Sequence, residues 1–136
     1  MALPAPRGKI LSPAEKAAVA PAADLAELRE RVRHFVTQRD WDQFHSPKNL
    51  AMALTVEVSE LLEVFQWLTE DESRNLGAEG KAAAADEVAD VLIYLLQISH
   101  QLGIDPVAAA SAKLEKNAHK YPVEKSRGNN KKYTEL

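Results

Sequence analysis

Apolar positions recur at helical spacing through most of the chain, and no stretch alternates with a period of two. Leu25, Leu28, Val32, Phe35 and Val36 form one stripe, with Glu27, Arg29, Glu30, Arg31 and Arg33 between them, so the pattern predicts a first helix over 24–38. Arg39 to His45 has no clean period and reads as a loop carrying two large aromatics, Trp41 and Phe44. Ser46-Pro47 supplies an N-cap and a first-turn proline for a second helix running to Trp67 or Leu68. The acidic run Glu70-Asp71-Glu72 and the interval from Gly77 to Gly80 mark a loop. A third helix is predicted over 81–101, closed by Gly103 in a left-handed turn. Asp105-Pro106 opens a fourth helix that ends near Tyr121-Pro122.

These signals divide the chain into an Ala/Pro-rich flexible tail (1–22), a helical domain (23–122) and a basic C-terminal tail (123–136), expected to be extended and mobile because it contains Gly128-Asn129-Asn130. Within the first tail, Ser12-Pro13-Ala14-Glu15 fits a capping box for a short helix to Ala20, stopped by Pro21. The fold class is all-α, most simply an antiparallel four-helix bundle. The second and third helices are apolar nearly all round, so each needs neighbours on more than one side, which predicts a symmetric homo-oligomer.

Composition narrows the function. The chain has 136 residues, the size of one domain, with 46 % hydrophobic residues and a net charge of −3, too mild to select nucleic acid or membrane by field alone. It has no cysteine, which removes disulfides, thiolate metal sites and thiol catalysis. No apolar run approaches a membrane span and no signal peptide is recognisable, so a soluble, cytoplasmic protein is expected.

The chemistry lies in the two apolar helices. Glu57, Glu60 and Glu63 stand three residues apart in the second, and Glu87 and Asp90 three apart in the third. At about 100° per residue each set shares a face, and like charges one turn apart repel. No Lys or Arg occurs between Asn49 and Ser73 or between Lys81 and Lys113, so neither set has a neighbouring base in sequence. A divalent cation held between the helices offsets the repulsion, and hard oxygen ligands suit Mg²⁺ or Mn²⁺. The bland alternative is a pair of solvated helix faces. Asp86 reads as an exposed first-turn acid, and Glu63 as either a water-positioning group or an ordinary surface glutamate. From Lys113 to Lys132 seven basic residues face two glutamates, and Lys113, Lys116 and Lys120 form one helical stripe, suited to a polyphosphate or simply to solvent. Asn117 on that helix either reads a base edge, holds phosphate or is exposed filler. Trp67 and Tyr94 lie about two turns from the acids and Trp41 sits in a polar loop; they either stack on a nucleobase or pack as core.

Glu57-x-x-Glu60 followed by Glu87-x-x-Asp90 resembles the signature of the all-α nucleoside triphosphate pyrophosphohydrolases, the MazG-like group. Arg39-Asp40-Trp41-x-Gln43-Phe44-His45-x-Pro47-x-Asn49-Leu50, Phe65-Gln66-Trp67, Asp90-Val91-Leu92-Ile93-Tyr94-Leu95, Tyr121-Pro122 and Lys132-Tyr133-Thr134-Glu135-Leu136 are similar to its dCTP-hydrolysing branch, over about residues 25–136. The resemblance implies a four-helix fold assembled as a tetramer, a dimer of dimers. It implies Mg²⁺-dependent conversion of a nucleoside triphosphate, dCTP or a modified dCTP, to monophosphate and pyrophosphate. Glu57, Glu60, Glu87 and Asp90 would be the metal ligands and catalytic residues, Trp41, Trp67 and Tyr94 would line the base pocket, and Lys113 and Asn117 would lie near the nucleotide. Two positions depart from the pattern. Val56 stands where the wider group has a glutamate, and Val32 where a pocket histidine is expected, which leaves base preference open.

The rivals are a sibling acting on dUTP or damaged triphosphates and a non-enzymatic helical oligomerisation module whose acids pair with bases of another subunit. A carboxylate-bridged di-iron bundle needs Glu-x-x-His pairs, and neither Glu57 nor Glu87 has a histidine at i+3. Glu60→Gln separates enzyme from module: turnover should fall at least about tenfold with folding intact for an enzyme, whereas a module should lose assembly, read by kinetics beside light scattering.

Overall fold

The computed structural model describes residues 20–136. Six α-helices follow one another: α1 (Leu25–Thr37), α2 (Pro47–Phe65), α3 (Glu70–Arg74), α4 (Ala78–Gln101), α5 (Pro106–Lys120) and α6 (Val123–Ser126). Two 3₁₀ turns, Asp42–Phe44 and Tyr133–Glu135, complete the set, and no strand occurs among the described residues. The expected tail up to residue 19, with its short helix over 13–20, lies outside the described residues.

Local chemistry accounts for the boundaries. The Asp24 carboxylate accepts from the Glu27 amide at 2.8 Å and opens α1. Ser46 Oγ accepts from the Asn49 amide at 3.2 Å, with Pro47 in the first turn of α2. Asp105 caps α5 through the amides of Val107 (2.9 Å) and Ala108 (3.0 Å). Helix α4 closes as expected: Gly103 adopts φ +63°, while the Ile104 and Gly103 amides donate back to Ser99 O and His100 O at 2.8 and 3.1 Å.

Three expectations change. The loop after Leu68 contains α3, nucleated by a reciprocal capping box in which Thr69 and Glu72 each satisfy the other's backbone amide. That signal, Thr69-x-x-Glu72, was present in the sequence beneath the acidic run. The segment after Tyr121 is neither wholly extended nor detached. It forms α6, turns at Gly128 (φ +76°), and returns Tyr133 to Tyr121 with ring centroids 6.0 Å apart. Phe35, assigned to the apolar stripe of α1, is 47 % exposed instead.

Helix α2 packs along α4 as the principal pair, and α1 lies against α4. The fully enclosed apolar side chains are few: Val32 and Val36 from α1, Leu50 from α2 and Leu96 from α4. Helix α5 packs against no other helix to a comparable extent, and Leu114 and Val107 on it stay largely in solvent. No helix among the described residues is long and apolar enough to cross a membrane.

The two clearest stop and start signals are testable by denaturant midpoint. Gly103→Ala should cost about 1–2 kcal/mol, because a Cβ there occupies the left-handed region. Asp105→Ala should cost about 1 kcal/mol through the loss of the α5 cap.

Candidate metal centre

The core-facing stripe of α2 runs Leu50, Leu54, Glu57, Leu61, Val64 at spacings of three and four, so a carboxylate occupies a position that the helix otherwise fills with aliphatic side chains. Helix α4 does the same along Ala84, Glu87, Val91, Tyr94 and Ile98, all partly buried. Because α2 and α4 pack together along these stripes, Glu57 and Glu87 are driven toward each other by the burial of their aliphatic neighbours. Asp90, one turn past Glu87, joins them from the more open side.

Carboxylate oxygens of Glu57, Glu87 and Asp90 all lie within 4.8 Å of one another. Glu57 is buried, with 9 % of its surface exposed, and Glu87 is half-buried. Glu60 stands outside this triplet but close enough for its charge to act on both Glu57 and Glu87. Glu63 acts on Glu87 alone among these acids. Burial raises the Glu57 carboxyl above the ordinary glutamate range, and the charges of Asp90, Glu60 and Glu87 push the same way. Burial also leads at Glu87, followed by Glu60, Asp90, Asp86 and Glu63. No cation is among the charges acting on either group, and no ion pair among the described residues reaches any of the four acids. Glu87 Oε2 is buried with no hydrogen-bond partner. Three converging carboxylates, one of them with an unpartnered buried oxygen, and no base acting on Glu57 or Glu87 among the described residues, fit a divalent cation.

Tyr94 is half-buried beside the acids; burial first, then Glu57, Asp90 and Glu60, raise its phenol above the usual tyrosine value. The aromatic ring therefore remains neutral and keeps its O–H donor. Trp67 follows the end of α2 and is 87 % exposed. Trp41 stands after α1 with its edge or face against Phe35 (5.8 Å between centroids) and His45 (6.2 Å). Lys113 and Asn117 ride on α5, away from the α2–α4 packing. Sequence reasoning passed over the contribution of Arg39, Phe35 and His45, which appear only when α1 and the following turn fold back on Trp41.

The described residues form an all-helical domain with a cluster of carboxylates between two apolar helices, and comparison with known proteins gives its family. The model of the MazG-like family matches residues 52–136. dCTP pyrophosphatase 1 of Homo sapiens is 40 % identical over 118 residues, covering 85 % of this chain and 69 % of the relative. The Rattus norvegicus protein of the same name is 41 % identical over the same shares. A crystal structure of a pyrophosphatase from Archaeoglobus fulgidus superposes with a TM-score of 0.68 at 44 % identity, covering 71 % of this chain and 91 % of that one. The chain belongs to the MazG-like family.

The raised carboxyls set a pH dependence. Their folded-state values lie above the unfolded ones, so the folded state holds extra protons between the two values and stability falls as pH rises through that window from about 4.5 upward. Without divalent ions, Glu57→Gln should therefore raise Tm at pH 7 and leave it nearly unchanged at pH 4. A millimolar divalent cation should raise Tm of the native chain at pH 7, with little effect at pH 4, and should lose that effect in Glu57→Gln; differential scanning fluorimetry checks all of these.

Proposed function

We propose that the chain hydrolyses a nucleoside triphosphate, dCTP or a modified dCTP, to the monophosphate and pyrophosphate, as a step of nucleotide-pool cleaning. The observation that carries this reading is the Glu57–Glu87–Asp90 triplet, with Glu57 buried and no basic side chain among the described residues acting on Glu57 or Glu87, in a chain 40 % identical to a protein named dCTP pyrophosphatase 1. Glu57, Glu60, Glu87 and Asp90 would hold Mg²⁺, with Mn²⁺ as a substitute. When bound, that ion supplies charge neutralisation to the phosphate oxygens.

The chain's own residues supply the rest. Glu57, buried at the centre of the acids, is one candidate to position the attacking water. Glu63, whose charge reaches Glu87, is the other candidate for water positioning. Hydrolysis forms one P–O bond from water and breaks the bond between the α- and β-phosphates, with pyrophosphate leaving. Tyr94 presents a neutral ring beside the acids, and Trp41 and Trp67 present exposed indoles, so a base can be held by stacking rather than by charge.

A second copy would complete this arrangement. One cavity of the single chain, about 140 Å³, is lined by Leu25, Arg29, Leu96 and Pro106 rather than by the acids. Met52, Val56, Leu62, Val88 and Leu95 on α2 and α4 remain exposed, as does most of α5 including Lys113, whereas Asn117 is half-buried. The reading is therefore of a four-helix bundle closed within a symmetric homotetramer, a dimer of dimers, in which basic α5 surfaces approach the nucleotide. The setting is the cytoplasm, and neither nucleic acid nor membrane is a partner. Val32 in place of an expected histidine keeps a dUTP-hydrolysing or damaged-nucleotide specificity as the second reading.

Pyrophosphate release from a panel of deoxy- and ribonucleoside triphosphates, with and without Mg²⁺, tests the function. The expected result is Mg²⁺-dependent release with dCTP or 5-substituted dCTP the best substrate and a fall of about a hundredfold or more in Glu57→Gln. No release from any triphosphate overturns it.

A further inference from the structure

His45 ends the 3₁₀ turn after α1 and directly precedes the Ser46 cap of α2, so it stands at the corner joining those two helices. It is 7 % exposed, and the other buried polar residues among those described are Glu57 and Ser99. Glu57 belongs to the acids, and the Ser99 hydroxyl donates to the Leu95 carbonyl at 2.7 Å within its own helix. His45 is therefore the buried polar group that the hydrolytic reading leaves without a task.

Its ring lines a cavity of about 10 Å³ together with Arg33 and Val36 of α1, Asp42 of the turn, and Gln97, His100 and Gln101 at the end of α4. Such a space admits about one water, too little to hydrate a charged ring. The charged and titratable groups that share the cavity do not replace that hydration. Arg33 is a permanent cation and His100 becomes one in acid. Asp42, the one carboxylate among them, has both oxygens engaged, by the Arg33 guanidinium at 2.8 Å and by the Thr37 hydroxyl at 3.3 Å. Gln97 adds a buried, unpartnered Oε1, an acceptor without net charge. Burial accordingly pushes the His45 imidazole below the usual histidine range, and the Asp42 charge opposes the shift without cancelling it.

We propose that His45 is an acid-sensitive latch: its neutral imidazole seats the corner between α1 and α2 against the end of α4, and uptake of a proton releases that corner. A charged ring needs water that the closed cavity has no room for, so protonation and opening go together. The unfolded chain takes up this proton near the usual histidine value of about 6.5 and the closed corner only at lower pH, so stability falls as pH falls through that window. The sign is opposite to that of Glu57 and Glu87, whose raised carboxyls make stability fall as pH rises.

The chain has four histidines and two tryptophans, so the latch can be followed at single residues in the full chain. By NMR, one imidazole should titrate below about 6.5, and His45→Gln should remove that signal. In a Trp67→Phe background, Trp41, whose ring lies 6.2 Å from that of His45, should shift its emission to the red with the same midpoint. His45→Gln should abolish the shift. Below pH 6.5, and down to the His45 midpoint, the folding constant of the parent relative to His45→Gln should drop about tenfold per pH unit, read from urea titrations. If His45→Gln does not fold, His34→Gln, His100→Gln and His119→Gln combined leave His45 the sole imidazole and give its titration directly. A midpoint at or above about 6.5, the mark of an imidazolium paired with Asp42, overturns the latch. So does a Trp41 emission that ignores the His45 titration. Neither readout uses turnover, so the outcome stands apart from the hydrolytic reading.

Discussion

Two packed helices bring like-charged carboxylates together in a partly dry seam, and the rest of the molecule has to accommodate that. Burying Leu50 and Leu96 along the α2–α4 contact carries Glu57 and Glu87 into the same seam, since they share the stripes of those residues or adjoin them. An unpaired carboxylate in such a place either gains a proton or meets a cation. No lysine or arginine among the described residues acts on Glu57 or Glu87, which leaves those two outcomes. The hydrophobic effect assembles the pair, and electrostatics makes it a candidate for a cation.

The small core of the single chain is the second consequence. Four enclosed aliphatic side chains stabilise little beyond the helix contacts they make, and a helix of the length of α5 lying largely free in solvent gains little from propensity alone. Much of the apolar surface on α2 and α4 belongs to faces that α1 does not cover. Helices α2 and α4 carry the acids, the turn after α1 carries Trp41, and α5 carries a stripe of lysines.

The turn after α1 shows how stiffness is placed. Asp40 would be free in a plain loop; here backbone bonds to α1 and the side chain of Gln43 hold it. The Arg33–Asp42 ion pair is partly exposed and modest as a source of stability, yet it ties the 3₁₀ turn to α1 and so limits where Trp41 can go. Precision in this region comes from many weak links acting on one short segment.

Helical periodicity, caps and breakers are local properties, and so the all-α class, the starts of α1, α2 and α5, and the Gly103 stop were legible in the residues alone. The spacing of Glu57, Glu60, Glu87 and Asp90 and the absence of nearby bases were legible too, which was enough to expect an acidic ion site. Sequence did not separate Glu60 from the other three, because membership of the triplet depends on how α2 is rotated against α4. It placed Phe35 on the apolar stripe of the first helix and read 123–136 as an extended tail, because the contacts of Phe35 with Arg39 and Trp41 and of Tyr133 with Tyr121 join segments by folding rather than by period. Local order is written residue by residue; which side chains meet across elements is decided only when apolar burial chooses the packing.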